Sequence, residues 1–237
     1  MTDLEIYLNN TREPWGLLFY RMVWEQLSFA KGLRVLDFGS GFGITADHLA
    51  KNNDVTAVEP LREMTVMTSK AHDFTQIIGD ISTLREMPDG SFDLIVCHNV
   101  LEYAVEREDI LKEFSRLLKS GGTLSVVKHH HPGRIMHKVV FENALDEVIG
   151  LLHGDEVQVR NFGTVHYYEN EDLVRWGKGL SVSNTMGVRA FWGLPKDNSI
   201  KYDPAWQDKM LQIELTVCEQ PPYRDIAIFQ HILLKKE

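Results

Sequence analysis

The sequence predicts an α/β fold built on a mostly parallel sheet, and three observations carry that expectation. The run Arg34-Val-Leu-Asp-Phe-Gly-Ser-Gly-Phe-Gly, closing at Gly43, reads as a buried strand delivered into a glycine turn. Val58-Glu59-Pro60 follows about fifteen residues later, after one helix's length of chain, as the end of a second strand. Further apolar runs then recur at Phe74 to Ile78, Ser91 to His98 and Thr123 to Val127. They are separated by Gly79-Asp80-Ile81, by the Pro88-Asp89-Gly90 turn, and by Leu117-Leu-Lys-Ser-Gly-Gly122, which reads as a helix end.

Along the chain, the segment ahead of the first strand reads as a helical N-terminal cap over residues 1–30. Pro14 suits a first helical turn, apolar residues recur at Leu17, Leu18, Met22, Val23 and Leu27, and Asn9-Asn10-Thr11 reads as a loop. Arg12, Trp15, Tyr20, Arg21 and Trp24 give this cap an aromatic and basic character suited to covering a ligand mouth. For Trp15 and Trp24 the expectation is docking of an amphipathic helix on the sheet edge.

Gly39, Gly41 and Gly43 remove the side chains that would hold a ligand away from the backbone, and the helix after them offers unpaired N–H groups. Glu59, at the carboxyl end of the next strand, can accept two hydrogen bonds from a ribose diol. A nucleotide-like ligand is therefore expected. A dinucleotide fingerprint spaces its glycines G-x-G-x-x-G for a pyrophosphate; here the third glycine comes one residue early and Asp37 stands ahead of the turn. A carboxylate at that point suits a cation.

On these residues the chain resembles the class I S-adenosylmethionine-dependent methyltransferases, whose first motif has the form acid-x-Gly-x-Gly-x-Gly. The resemblance implies a Rossmann-like seven-stranded sheet with an antiparallel last strand and helices on both faces. It implies S-adenosyl-L-methionine as cofactor, with Asp37, Gly39, Gly41 and Gly43 around the methionine part, Glu59 on the ribose, and Asp80 with Ile81 at the adenine. Ser40, Pro60 and His98 complete the expected cofactor-binding set. The apolar runs at Gln212 to Val217 and Ile226 to Leu234, separated by Gln220-Pro-Pro-Tyr223, are expected to form the closing hairpin.

At 237 residues and 43% hydrophobic content the chain can bury one sizeable core, so a single domain spanning 1–237 is expected, with a substrate-side insertion at 128–180 that is irregular and rich in His, Gly and aromatics. No apolar stretch approaches membrane-spanning length and the first residues lack a signal-peptide pattern, so a cytoplasmic location is expected. Cys97 and Cys218 read as core thiols in strands. A net charge of -9 argues against a broad nucleic-acid surface, and DNA is not expected as a partner.

His129, His130 and His131 raise the question of a metal. Consecutive residues on an extended segment point to alternate sides, and no Cys or carboxylate at metal-site spacing accompanies them, so none is expected. Their rings at a strand end suit substrate contact or a solvated loop. His98 ends a strand where its neutral ring could support the cofactor or act as a base; a hydrogen-bonded strand-end histidine is the plainer alternative.

In the second half, His98-Asn-Val-Leu-Glu102, Gly121-Gly-Thr-Leu-Ser125, Gly133 to Val140, Gly187-Val-Arg-Ala-Phe191 and Leu211 to Tyr223 resemble the bacterial tRNA 5-carboxymethoxyuridine methyltransferases. This resemblance implies methyl transfer to a carboxylate on a modified wobble uridine of tRNA. A carboxylate is already anionic at neutral pH, so alignment suffices and no base is needed. Arg189 is the expected fork for the acceptor, and with His98 it forms the candidate catalytic pair. Between Glu156 and Trp176 the chain departs from the group, carrying Glu169, Glu171 and Asp172 in place of a basic run. The alternatives are a small-molecule O- or N-methyltransferase and a cofactor-binding regulatory protein without turnover.

Overall fold

The structure, a computed structural model, describes residues 2–154, 157–159 and 163–237. Its strands in chain order are β1 (Arg34–Phe38), β2 (Asp54–Glu59), β3 (Thr75–Ile78), β4 (Phe92–His98), β5 (Leu118–His129), β6 (Val157–Val159), β7 (Gly163–Val165), β8 (Leu180–Val188) and β9 (Phe229–Lys236). Seven of them form one sheet in the order β3-β2-β1-β4-β5-β9-β8, while β6 and β7 pair as an antiparallel hairpin. β1 runs parallel to β2 and β4, β2 to β3, and β4 to β5, and the last strands are antiparallel, which is the expected Rossmann-like arrangement. Val35 to Phe38 are all buried, which is why β1 carries apolar residues on both faces, broken only by Asp37, rather than an alternating pattern.

The chain gathers into two compact units, Met1–Gln26 with Lys128–Tyr167 and Thr185–His231, and Leu27–Val127 with Tyr168–Asn184 and Ile232–Glu237. In the second unit Leu36, Ile95, Cys97, Phe114, Leu117, Leu124 and Leu234 fill the core, and Phe38 meets the Phe114 ring edge-on at 5.5 Å. Asp93 pins the start of β1, accepting from the Arg34 amide at 2.9 Å and pairing with Lys119 at 2.7 Å. The acidic group at 169–172 has a local purpose: Glu169 and Asp172 form a reciprocal cap at the start of the helix Asn170–Trp176. Gly121 and Gly122 lie within β5, because the helix before them already ends at Leu117.

The structure departs from expectation in three places. Asn9-Asn10-Thr11 is part of the helix Asp3–Arg12, which a Thr2/Glu5 capping box starts, and a second helix begins at Pro14 as its proline predicts. The region 128–180 contains helices at His131–His137, Leu145–Leu152 and Asn170–Trp176 in place of an irregular insertion; its stretches 155–156 and 160–162, Glu156 among them, lie outside the described residues. Gln212 to Val217 is the end of the helix Pro204–Val217, started by Asp203, whose carboxylate accepts from the Ala205 amide at 2.9 Å. The outermost strand is therefore β8, and Cys218 caps a helix rather than lying in a strand. Cys97 is buried in β4 as expected.

Gly39 is required for two reasons. Its φ is +74°, and a Cβ there would stand 2.3 Å from Val100 Cγ2. Gly39→Ala should lower stability by about 2 to 3 kcal/mol in urea denaturation, and by less in a Val100→Ala background, where the collision is removed and only the backbone strain remains. Equal losses in both backgrounds would show that the collision with Val100 does not set the requirement.

Candidate functional site

Parallel strands place their carboxyl ends on one edge, and the second unit gathers the expected cofactor-binding residues there at the ends of β1, β2 and β4. Asp37 on β1 is 3% exposed, and its Oδ2 is buried with no hydrogen-bond partner. Burial first, and then the charge of Glu59, lifts its pKa to about 7, against the opposing help of the Ala46 amide. Glu59 is held by backbone: Oε2 accepts from the Gly41 amide at 2.8 Å and Oε1 from the Leu61 amide at 2.9 Å. Its pKa is raised by burial and lowered by those two amides, with burial prevailing. The amides of Gly39 and Ser40 in turn donate to the Val58 carbonyl at 2.8 and 3.1 Å, tying the glycine loop to the end of β2. Ser40 Oγ accepts from Gln76 at 3.3 Å, and Gly43 at φ +71° leads into the helix Ile44–Ala50. Pro60 is exposed just past Glu59.

Asp80 and Ile81 follow β3, whose end pairs with β2 at Glu59 and Ile78, the Gly79 amide donating to the Glu59 carbonyl at 3.1 Å. Asp80 is exposed and caps the helix Ile81–Glu86, accepting from the Ser82 amide at 2.8 Å and hydroxyl at 2.7 Å, bonds that hold its pKa below the usual carboxylate value. The Ile81 side chain is 5% exposed and packs in the core. At the end of β4, His98 Nε2 lies 2.8 Å from Ser125 Oγ on β5.

Asn99 is a residue that the sequence reading passed over as a functional one. It adopts a left-handed backbone (φ +55°), its amide donates to the Val127 carbonyl at 2.7 Å, and its Oδ1 is buried without a partner. Such a conformation is uncommon outside glycine, and the asparagine directly after a strand was the available signal. Asp37 and Asn99 thus present two unsatisfied buried acceptors from neighbouring strands. Buried acceptors call for donors, and a cationic ligand rich in N–H groups meets that need. Asp37, the glycine loop and Glu59 therefore fit S-adenosylmethionine, whose ammonium and ribose hydroxyls are donors.

In the first unit, Arg189 follows β8 in a left-handed conformation (φ +66°), which costs an L-residue roughly 1 to 2 kcal/mol. What holds it is Glu214, 1% exposed, whose two oxygens accept from the amides of Ala190, Phe191 and Trp192 at 2.7, 2.9 and 2.9 Å. The Arg189 Nε is buried without a partner, the guanidinium lies 5.9 Å from the Phe229 ring centroid, and burial pulls its pKa down to about 10 despite the Glu214 charge. His129 stacks on Phe229 at 4.9 Å, and burial followed by the charges of Arg134 and Arg189 depresses its pKa to about 4, so its ring is neutral. His130 bonds the Ala227 carbonyl at 3.0 Å and His131 meets Tyr167 at 4.8 Å. The three rings have separate surroundings, and among the described residues no group of His, Cys, Asp or Glu is placed to hold a metal ion.

Residues 36–126 match the methyltransferase domain family. A tRNA 5-carboxymethoxyuridine methyltransferase of Escherichia coli strain K12 is 24% identical over 93% of this chain and 89% of its own length. A ubiquinone biosynthesis O-methyltransferase of Xanthomonas oryzae is 31% identical over 39% of this chain and 41% of its own. Among solved structures, an S-adenosylmethionine-dependent methyltransferase from Archaeoglobus fulgidus shares the fold with a TM-score of 0.63 at 14% identity, over 99% of this chain and 100% of that one. One from Mesorhizobium loti does so at 0.55 and 16%, over 91% and 98%. The fold, the acidic glycine loop and these likenesses define the class: the chain is a methyltransferase. Its cofactor is S-adenosyl-L-methionine. Among the described residues no helix is long and apolar enough to cross a membrane.

Two outcomes test the site. Glu59→Ala should weaken S-adenosylmethionine binding at least tenfold by calorimetry, since each charge-assisted bond lost is worth roughly 1.5 to 3 kcal/mol; unchanged affinity would remove Glu59 from the site. Asp37 has a folded pKa of about 7, above that of the unfolded chain, so the folded state binds its proton more tightly. Its contribution to stability is lost as pH rises from about 4 to 7, on the order of 4 kcal/mol in total. Urea denaturation of Asp37→Asn without cofactor should lack that decline, and an identical pH profile to wild type would contradict the assignment.

Proposed function

We propose that this methyltransferase transfers the methyl group to a carboxylate oxygen of an anionic acceptor, the modified wobble uridine of tRNA. The observation that carries this is Arg189: a planar cation, half-buried, with a buried and unpartnered Nε, held in a strained conformation by the Glu214 carboxylate. Strain of this kind persists where surrounding structure over-determines it and is concentrated at ligand sites. An arginine fork matches a carboxylate in shape and charge. The likeness to the Escherichia coli tRNA enzyme over nearly the whole chain supports the same acceptor class, and a tRNA acceptor would place the protein in the cytoplasm. The S-adenosylmethionine sulfonium supplies the electrophilic methyl group; the chain's own tasks are to hold and orient the acceptor and to keep water out. Because the acceptor oxygen carries no proton, His98 serves to support the cofactor side through Ser125 and removes no proton.

The net charge of -9 favours a second assignment, a small free acid as acceptor. Labelled cofactor offered to total tRNA and, separately, to small metabolites should mark the tRNA pool, with activity falling steeply as salt is added; label confined to metabolites with a flat salt profile would establish the small-acid alternative.

Arg189→Lys, which loses one of the paired bonds, should lower kcat/KM at least tenfold while leaving cofactor affinity intact. On the proton side, kcat should stay flat above pH 6 and His98→Asn should keep most of the rate. A steep rise near the histidine pKa, abolished in that variant, would point to a hydroxyl or amine acceptor.

A further inference from the structure

The first unit carries a second positive charge besides that of Arg189. Lys201, in the short 3-10 turn Ser199–Tyr202, is only 4% exposed. Among the described residues no carboxylate and no hydrogen-bond acceptor engages its ammonium, which lies over two aromatic faces, 4.8 Å from the Phe141 centroid and 5.6 Å from that of Trp192. Ring faces attract a cation but leave its three N–H donors without acceptors. Burial and the nearby Arg189 charge both push the Lys201 pKa down, so the two cations feel each other. Arg134 adds to the same field, since it and Arg189 both depress His129 and His137.

Among the described residues, the acids of this unit make their hydrogen bonds elsewhere. Both oxygens of Glu214 are taken by the amides of Ala190, Phe191 and Trp192. Glu142 pairs with His137 at 3.1 Å and Lys138 at 3.0 Å. In a chain of net charge -9, a half-buried arginine that feels only the Glu214 charge and a buried lysine that, among the described residues, meets no acid make a site suited to an anion. Two cations of different shape call for two different anionic groups. The fork of Arg189 suits a flat carboxylate, and the compact ammonium of Lys201 suits a phosphate.

We propose that Lys201 holds a phosphate of the acceptor while Arg189 holds the carboxylate that receives the methyl group, so that the site selects a nucleotide and discriminates against the bare nucleoside. This rests on the anionic-acceptor assignment above. Phe141 and Trp192 then keep the ammonium in place for the phosphate.

The test compares 5-carboxymethoxyuridine with its 3′- and 5′-monophosphates as methyl acceptors. The wild-type enzyme should favour one monophosphate over the nucleoside at least tenfold in kcat/KM. Lys201→Met, which keeps the length of the side chain, should bring nucleotide and nucleoside to the same kcat/KM, and Lys201→Arg should restore the preference. A residue that only packs would depress both acceptors in proportion and leave the ratio intact, and that result would overturn the proposal. So would a wild-type enzyme indifferent to the phosphate, a comparison that decides the matter even if Lys201→Met fails to fold. If neither the nucleoside, the nucleotides nor tRNA accepts a methyl group, the carboxylate assignment itself falls and takes this proposal with it; methylated tRNA with an unchanged nucleotide preference in Lys201→Met removes Lys201 alone.

Discussion

The site depends on an unfavourable arrangement, the burial of Asp37 beside Glu59. Burial raises the proton affinity of both carboxylates, and the charge of Glu59 raises that of Asp37 further, to a pKa of about 7. The structure tolerates this because Glu59 is bonded to two loop amides, those of Gly41 and Leu61, while Asp37 keeps an oxygen without a partner. That asymmetry assigns the roles. Glu59 shapes the loop and presents it, and Asp37 keeps an oxygen for which we propose the cationic cofactor as partner. The requirement for glycine at position 39 follows from the same packing, since a loop lashed to the end of β2 and pressed on Val100 has no room for a Cβ.

The first unit uses the opposite sign by the same means. Glu214 is spent on three consecutive amides and so fixes the left-handed turn at Arg189, instead of sitting in an ion pair with it. A carboxylate used as a backbone clamp leaves the neighbouring guanidinium short of a partner. Acidic residues elsewhere are absorbed by comparable local tasks, as Glu169 and Asp172 are in capping a helix, which is why an acidic chain can still present a cationic cluster.

The parallel half of the sheet was legible because buried parallel strands are rich in apolar residues on both faces, as β1, β2 and β4 are, and because β1 and β3 run into glycine and β2 ends in a carboxylate. The second half was harder to read. Leu211, Ile213, Leu215 and Val217 alternate and suggest a strand, yet they lie on a helix that buries Glu214; Asp203-Pro204, an N-cap followed by a first-turn proline, was the signal that outweighed the alternation. β8, whose sequence Leu-Ser-Val-Ser-Asn-Thr-Met-Gly-Val lacks a clean apolar face, takes its place from the pairing given by the sheet order rather than from propensity. Arg189 could be chosen from the resemblance, but its orphaned Nε and its clamp depend on a residue 25 positions away, as does Lys201 on Phe141 and Trp192. Asn99 shows the same limit, because an unpaired oxygen is visible only once its surroundings are built.

The central claim is that the cofactor's positive charge answers Asp37. It is tested most directly by the number of protons released when S-adenosylmethionine binds, obtained from calorimetry at pH 7 in buffers of different ionisation enthalpy. A carboxyl group with a pKa of about 7 is half protonated there, and a bound cation drives it to the ionised form, so about half a proton should leave per cofactor bound, and none in Asp37→Asn. Binding with no proton release in the wild-type protein, or the same release in Asp37→Asn, would contradict the account.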